Sequence, residues 1–176
     1  VHKTVVGSIG RVVVAQFERD EDLLEGIRHV IKTEGLRTGY IPTITGVVKN
    51  SRLQRFPAEP TKKQPTVTVE LDGPLEASGS GLFGVVEAPE QGDRPFTLSN
   101  NVHGEPYVHV HLTVTSVNDT MSGHLMKGTL VNSYHPVSHF TVFFVETVGV
   151  ELQIRCDDSP ERLGYHVLTQ TSANGS

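Results

Sequence analysis

Three histidines are the residues of this sequence best placed to do chemistry. They lie in Tyr107-Val-His109-Val-His111-Leu and in Gly123-His124-Leu. Imidazole is the commonest protein ligand for transition metals, and an ion needs several nitrogens converging on one point. On a β-strand the side chains at i and i+2 leave the same face. His109 and His111 therefore project together, while Val108, Val110 and Leu112 turn towards a core. Asn118 and Asp119 carry turn chemistry, and a hairpin symmetric about the Val117–Asn118 bond sets His111 opposite His124. Opposed residues have Cβ atoms about 4.5–5.5 Å apart on one face, and His109 then sits diagonally from His124 at about 7–8 Å. Three imidazoles so placed can meet at one ion, with Zn–N distances of about 2.0–2.1 Å. A slip of one residue would turn His124 to the other face. Neutral imidazoles suit zinc best, with Fe, Ni, Cu and Mn behind it. Three protein ligands leave a fourth position open, as in catalytic rather than structural sites. Such an ion serves as a Lewis acid or lowers the pKa of a water to about 7.

Six further histidines are present. His103, before Gly104, could approach the metal from outside. His135 and His139 flank Pro136 and Val137 and read as solvated loop residues, as imidazole is mostly part-exposed. His2, His29 and His166 read as surface residues. Glu70, Glu146, Arg37 and Arg155 are candidates for an acid, a base or an anion clamp, though a plain surface charge is the simpler reading of each. The sequence names no catalytic residue among them. Cys156 is followed by Asp157 and Asp158, which raise rather than lower a thiol pKa, so it is not read as a nucleophile. Gly7-Ser-Ile-Gly10 lacks the Lys-Ser/Thr ending of a phosphate loop. Gly79-Ser-Gly81 with Gly84 lacks the helix and acid of a dinucleotide site and reads as a flexible turn.

The elements that must position the histidines are mostly strands. The 176 residues fit one domain, with 36% hydrophobic and 20% charged residues and with 17 Gly and 10 Pro to make turns. Residues 11–17 read as a buried strand. Asp20 reads as a helix N-cap, and Leu23, Leu24, Ile27, Val30 and Ile31 form one apolar helical stripe. Gly35 ends that helix. Residues 38–49 suggest a turn and a weakly periodic strand, and 57–65 a loop. Val67–Leu71, Val108–Thr115, Gly123–Val131, Phe140–Val148 and Val150–Ile154 are expected strands. Glycines at 73, 79, 81 and 84 are expected to break regular structure beyond Leu71, and 87–94 reads as a surface loop. Strand, helix, then many strands is an α+β order.

Net charge is −5 with His neutral, which weighs against nucleic acid as the main partner, since such affinity comes largely from neutralising phosphates. One cysteine allows no internal disulfide, so the cytoplasm is the expected compartment. No apolar run approaches the roughly 18 residues of a spanning helix, so no membrane is expected as partner, and no leader segment is visible. Residues 8–168 are expected to form the domain and 169–176 a flexible tail.

The residues also resemble a family. Gly104-Glu-Pro-Tyr-Val-His109-Val-His111-Leu, with Gly123-His124-Leu-Met-Lys-Gly128 after it, is similar to the signature of the plants-and-prokaryotes conserved domain, which also occurs in plant AT-hook nuclear proteins. Asp22-Leu-Leu-Glu-Gly-Ile, Glu34-Gly-Leu-Arg37-Thr-Gly39 and Thr45-Gly46-Val-Val resemble its helix and the next strand. Leu71-Asp-Gly73 resembles its middle strand turn, and Gly164-Tyr-His-Val-Leu its C-terminal end. The resemblance spans about residues 10–168, with insertions near 54–66 and 87–102. It implies a mostly antiparallel, highly curved sheet with one main helix near the N-terminus, commonly assembled as a homotrimer. It also implies metal at His109, His111 and His124. The fold so implied is similar to that of acetolactate decarboxylase, a zinc lyase with an H-x-H plus His site. His139 departs from the family, standing where an acid is usual, and no Arg-Gly-Arg-Pro hook is present.

The function expected from all this is zinc-dependent catalysis, of lyase, hydratase or isomerase type, on a small carbonyl or carboxylate compound. The alternative is a non-catalytic trimeric module that binds DNA or regulates. A cupin also uses H-x-H, but it expects a Glu soon after the pair, and Leu112–Thr115 offers none.

Overall fold

The computed structural model describes residues 2–59, 61, 66–87, 103–134, 137–156 and 164–171. In chain order the elements are β1 (Ser8–Phe17), α1 (Leu23–Thr33), β2 (Gly39–Arg55), β3 (Val67–Glu87), β4 (Pro106–Thr115), β5 (Thr120–Leu125), β6 (Phe140–Val148), β7 (Val150–Cys156) and β8 (Gly164–Gln170). They form one sheet in the order β1-β6-β2-β5-β4-β3-β7-β8, and β2 pairs with β3 as well. Every pairing is antiparallel except β3 with β7. This is the expected α+β class with a mostly antiparallel sheet and one main helix. No helix among the described residues is long and apolar enough to cross a membrane.

Helix α1 forms where its apolar stripe demands. Leu23, Leu24, Ile27 and Ile31 are buried on one side and share the main core with Val110, Leu112 and Val114 of β4 and Phe140, Val142 and Phe144 of β6. The cap is Asp22 rather than Asp20. Asp22 has the extended backbone a cap requires, and its Oδ1 accepts the Glu25 N–H. Asp20 lies too early in the chain, at φ 74°, and pairs with Lys49 instead. The other Asp22 oxygen accepts the Gly128 N–H at 2.6 Å, which fastens the helix to the chain just after β5. At the far end Gly35 takes the left-handed conformation, at φ 63°. Leu36 N–H then reaches Ile31 C=O, and Gly35 N–H reaches Lys32 C=O, the paired closure that glycine permits there.

Several strands differ from the sequence expectation. Strand β1 is an edge, not a buried strand. Only Phe17 is buried, while Ile9, Val12 and Val14 are 66%, 58% and 52% exposed. An unbroken apolar run does not by itself distinguish a core strand from an apolar edge. Strand β2 is 17 residues long and β3 is 21, running unbroken through Gly73, Gly79, Gly81 and Gly84. The glycines fit a strand because the neighbouring backbone comes close. A Cβ on Gly81 would lie 2.3 Å from the His109 carbonyl oxygen. Strand β5 stops at Leu125, so the expected strand to Val131 is cut short. Leu130 and Val131 instead bridge to Asp22 and Val48.

Thr169 and Gln170, placed in a tail by the sequence reading, close β8, and 172–176 lie outside the described residues. The Gln170 side chain accepts the Val6 N–H at 3.1 Å and donates to the Val6 carbonyl at 2.6 Å.

Candidate metal centre

Strand β4 carries its core face on Val110, Leu112 and Val114, all buried to 2% exposure or less. The odd-numbered residues His109, His111, Thr113 and Thr115 occupy the opposite face. Ser116 closes the hairpin, accepting the backbone N–H groups of Asn118 and Asp119 on its hydroxyl. The register is the one the turn chemistry predicts. His111 faces His124, Leu112 faces Gly123 and Thr113 faces Ser122, with no bulge. Both flanks of the hairpin are paired, β4 with β3 and β5 with β2 at Leu53–Leu125 and Gln54–His124.

The rings converge more closely than strand spacing alone requires. Ring centroids are 4.4 Å apart for His111 and His124, 4.5 Å for His109 and His124, and 5.2 Å for His109 and His111. His109 Nε2 lies 3.1 Å from His111 Nε2. One ligand atom from each of the three histidines lies within 4.8 Å of the others. Two nitrogens on a tetrahedral zinc stand about 3.3 Å apart, given Zn–N bonds of about 2.0–2.1 Å. The first pair already has nearly that separation, and a modest closure of the third ring completes the set. The three-histidine group could hold a metal.

Electrostatics point the same way. Burial, and after it the charges of His124, His111 and His166, lowers the pKa of His109 to about 4. Burial and then His111 lower that of His124. His109 and His124 therefore resist protonation, and ligation requires such deprotonated imidazoles.

Two residues join this group that the sequence reading did not assign. Tyr107, 5% exposed, precedes His109 on the same face. Its hydroxyl lies 2.8 Å from His109 Nδ1 and 2.6 Å from His166 Nε2. Burial raises its pKa to about 12. The i−2 spacing of Tyr107 from His109 is a usable signal. His166 has none, since 59 residues separate it from Tyr107. It is exposed, as expected, but β8 sets it opposite Ile154 of β7, beside Tyr107.

The other sequence candidates are engaged elsewhere. Glu70 pairs with Arg52 at 3.1 Å and Glu146 with Arg11 at 3.0 Å. Arg37 pairs with Glu151, and Arg155 Nε donates to Gln153 at 2.9 Å. His103 is exposed, as are His2 and His29. His135, Asp157 and Asp158 lie outside the described residues. His139 Nδ1 is 2.8 Å from Thr141 Oγ1 and lines a groove of about 480 Å³ with Thr45, Glu76, Ser78, Thr113 and Thr115. Ser78 faces Thr113 and Ser80 faces His111, so this groove begins one residue pair along β4 from His111, on the histidine face.

A family model described as the Plants and Prokaryotes Conserved (PCC) domain matches residues 5–141. No curated protein matches the sequence. Among solved structures, a metal-containing protein from Archaeoglobus fulgidus is similar, with TM-score 0.70 and 18% identity, covering 94% of this chain and 99% of that one. A plant- and prokaryote-conserved protein from Pyrococcus horikoshii has TM-score 0.67 and 22% identity, over 97% of this chain and 100% of that one. A candidate DNA-binding protein from Ralstonia eutropha has TM-score 0.61 and 15% identity, over 90% of each chain. At such identities the likeness concerns the fold alone.

Proposed function

The chain belongs to the Plants and Prokaryotes Conserved (PCC) domain family, and from that premise we propose that it is a zinc-dependent enzyme acting on a small carbonyl or carboxylate compound. The reaction is of lyase, hydratase or isomerase type, and His109, His111 and His124 are the ligands. The observation that carries this reading is the convergence of three imidazoles on one face of a hairpin paired on both sides. The similar A. fulgidus protein is described as metal-containing, which supports it.

A bound divalent ion supplies Lewis acidity at a substrate oxygen. The chain's own residues do the rest. The adjoining groove is of a size that suits small-molecule sites, and the hydroxyls of Thr45 and Ser78 in its lining orient a substrate there by hydrogen bonds. Glu76 and His139 are the titratable groups within its walls among the described residues. The buried face of the hairpin holds the ligands in place without loops.

Elemental analysis of the purified protein beside His111→Ala tests the reading. About one zinc per chain is expected in the native protein, with loss in the variant. Equal trace metal in both would sink it.

The alternative, a non-catalytic DNA-binding module, is favoured by the description of the R. eutropha neighbour. The net charge of −5 opposes it, because non-specific affinity for DNA rests on cationic side chains. The same reading holds the protein to be one domain over residues 8–168, resident in the cytoplasm and trimeric. The apolar edge of Ile9, Val12 and Val14 supports assembly, since an exposed apolar edge strand invites pairing.

A further inference from the structure

We propose that Tyr107 and His166 are positioning residues for His109, forming a directed hydrogen-bond chain that presents the bare Nε2 of His109 to the metal. This rests on the metal reading above and adds two residues to it. One of them, His166, lies beyond the residues matched by the family model.

Counting protons fixes the directions. Tyr107 Oη lies within hydrogen-bond distance of two ring nitrogens. A phenol has one proton and can donate it to only one of them. The other contact must be a ring N–H donating to the phenol oxygen. Two arrangements satisfy this while also giving the phenol proton a partner among the two rings. In the first, His109 Nδ1–H donates to Tyr107, and Tyr107 O–H donates to His166 Nε2. In the second both directions reverse, and His109 carries its proton on Nε2, facing His111 Nε2 at 3.1 Å.

The distances favour the first. Hydroxyl donors make shorter bonds than N–H donors. The 2.6 Å contact is the one to His166, and the 2.8 Å contact is the one to His109. The first arrangement is also the only one that leaves the Nε2 lone pair of His109 available to an ion. A ligating imidazole is commonly held this way through its other nitrogen, and loss of such a partner weakens metal binding about 10–100-fold. Here the partner is a tyrosine, itself oriented by a histidine from the last strand. Tyr107 packs with Val86, Ile154 and Leu152, so the phenol cannot swing away to another acceptor.

The test uses Tyr107→Phe, which keeps the ring and its packing, together with His166→Gln and His166→Leu at an exposed position. The first readout is long-range ¹H–¹⁵N correlation of the histidine rings in metal-free protein. The native protein is expected to show His109 protonated at Nδ1, and Tyr107→Phe to lose that preference. The second is Zn²⁺ affinity by chelator competition, expected to fall about 10–100-fold in Tyr107→Phe and His166→Leu. His166→Gln, whose amide oxygen can still accept from Tyr107, should recover part of the loss. The third is the visible spectrum of the Co²⁺ form, expected to shift in Tyr107→Phe. A native His109 protonated at Nε2, or zinc affinity within twofold of native in both Tyr107→Phe and His166→Leu, would overturn the positioning role. Absence of zinc binding by the native protein overturns the metal reading instead, and the ring tautomers still decide the hydrogen-bond chain.

Discussion

A histidine held neutral by its surroundings makes the fold itself sensitive to acid. The pKa of His109 falls from 6.5 to about 4, first through burial and then through the neighbouring imidazoles. In the unfolded chain His109 takes up its proton near the ordinary value. Between the two values the unfolded state binds more protons than the folded one, so stability falls as pH drops. The metal-free protein should therefore hold its stability above about pH 6.5 and lose part of it on this account as the pH falls towards about 4. Urea midpoints across about pH 4–7 measure this, and His109→Gln should flatten the profile. A midpoint that is level over that range in the native protein would contradict the neutral state of His109. At this scale the sequence is informative where chemistry is local. Alternation along β4 and the turn residues Asn118 and Asp119 are enough to place His111 opposite His124. The link from Tyr107 to His166 is not legible, because it depends on where β8 docks, and no local pattern in residues 164–170 encodes that.

At the scale of elements, two joints hold the histidine hairpin in place. Asp22 serves the helix and the hairpin together, accepting the N–H groups of Glu25 and Gly128. Loss of an N-cap costs about 0.5–2 kcal/mol, and the unpaired Gly128 N–H adds to that. Asp22→Ala should therefore lower stability by about 2–3 kcal/mol, read as a drop in Tm, with Asp22→Asn recovering much of it by keeping the cap. The second joint is the close approach of β3 to β4 at Gly81. Any side chain there meets the His109 carbonyl oxygen and the Val110 backbone. Gly81→Ala should separate the strands beneath His109, lowering both Tm and zinc affinity. Unchanged zinc affinity would show that the site tolerates that separation. The same glycines explain why the sequence of β3 suggests turns. Glycine signals a turn in sequence, but it serves equally where two backbones must nearly touch. The helix is legible because its stripe is long and periodic. Sequence sets its cap two residues early because Asp20 and Asp22 carry the same side chain, and only backbone geometry separates them.

For the whole molecule, β2 is the strand that organises the sheet. It pairs with β3, β5 and β6, and so braces the histidine hairpin at His124 and Leu125. One end of the sheet is β1, where Ile9, Val12 and Val14 are left exposed. A trimer would cover such a surface. Light scattering should return three chain masses, and Val12→Lys with Val14→Lys should shift that toward one. A native monomer would remove this part of the proposal. None of this pairing is readable from composition, since long-range registers depend on which strands meet and not on any one strand's pattern.

The bonds between Val6 and Gln170 make the polypeptide behave at this point like a drawstring bag. The first residues and the last strand are knotted at one place, although the sheet order puts β1 and β8 at opposite ends. Strand β8 cannot peel off without slackening that knot, and it is β8 that carries His166 to Tyr107. A fusion, a proteolytic nick or a tether pulling ahead of Gly7 therefore has a short route to the histidines, through Gln170 and back along the strand to His166. The N-terminal end of the chain, far in sequence from every ligand, is in this sense a handle on the site.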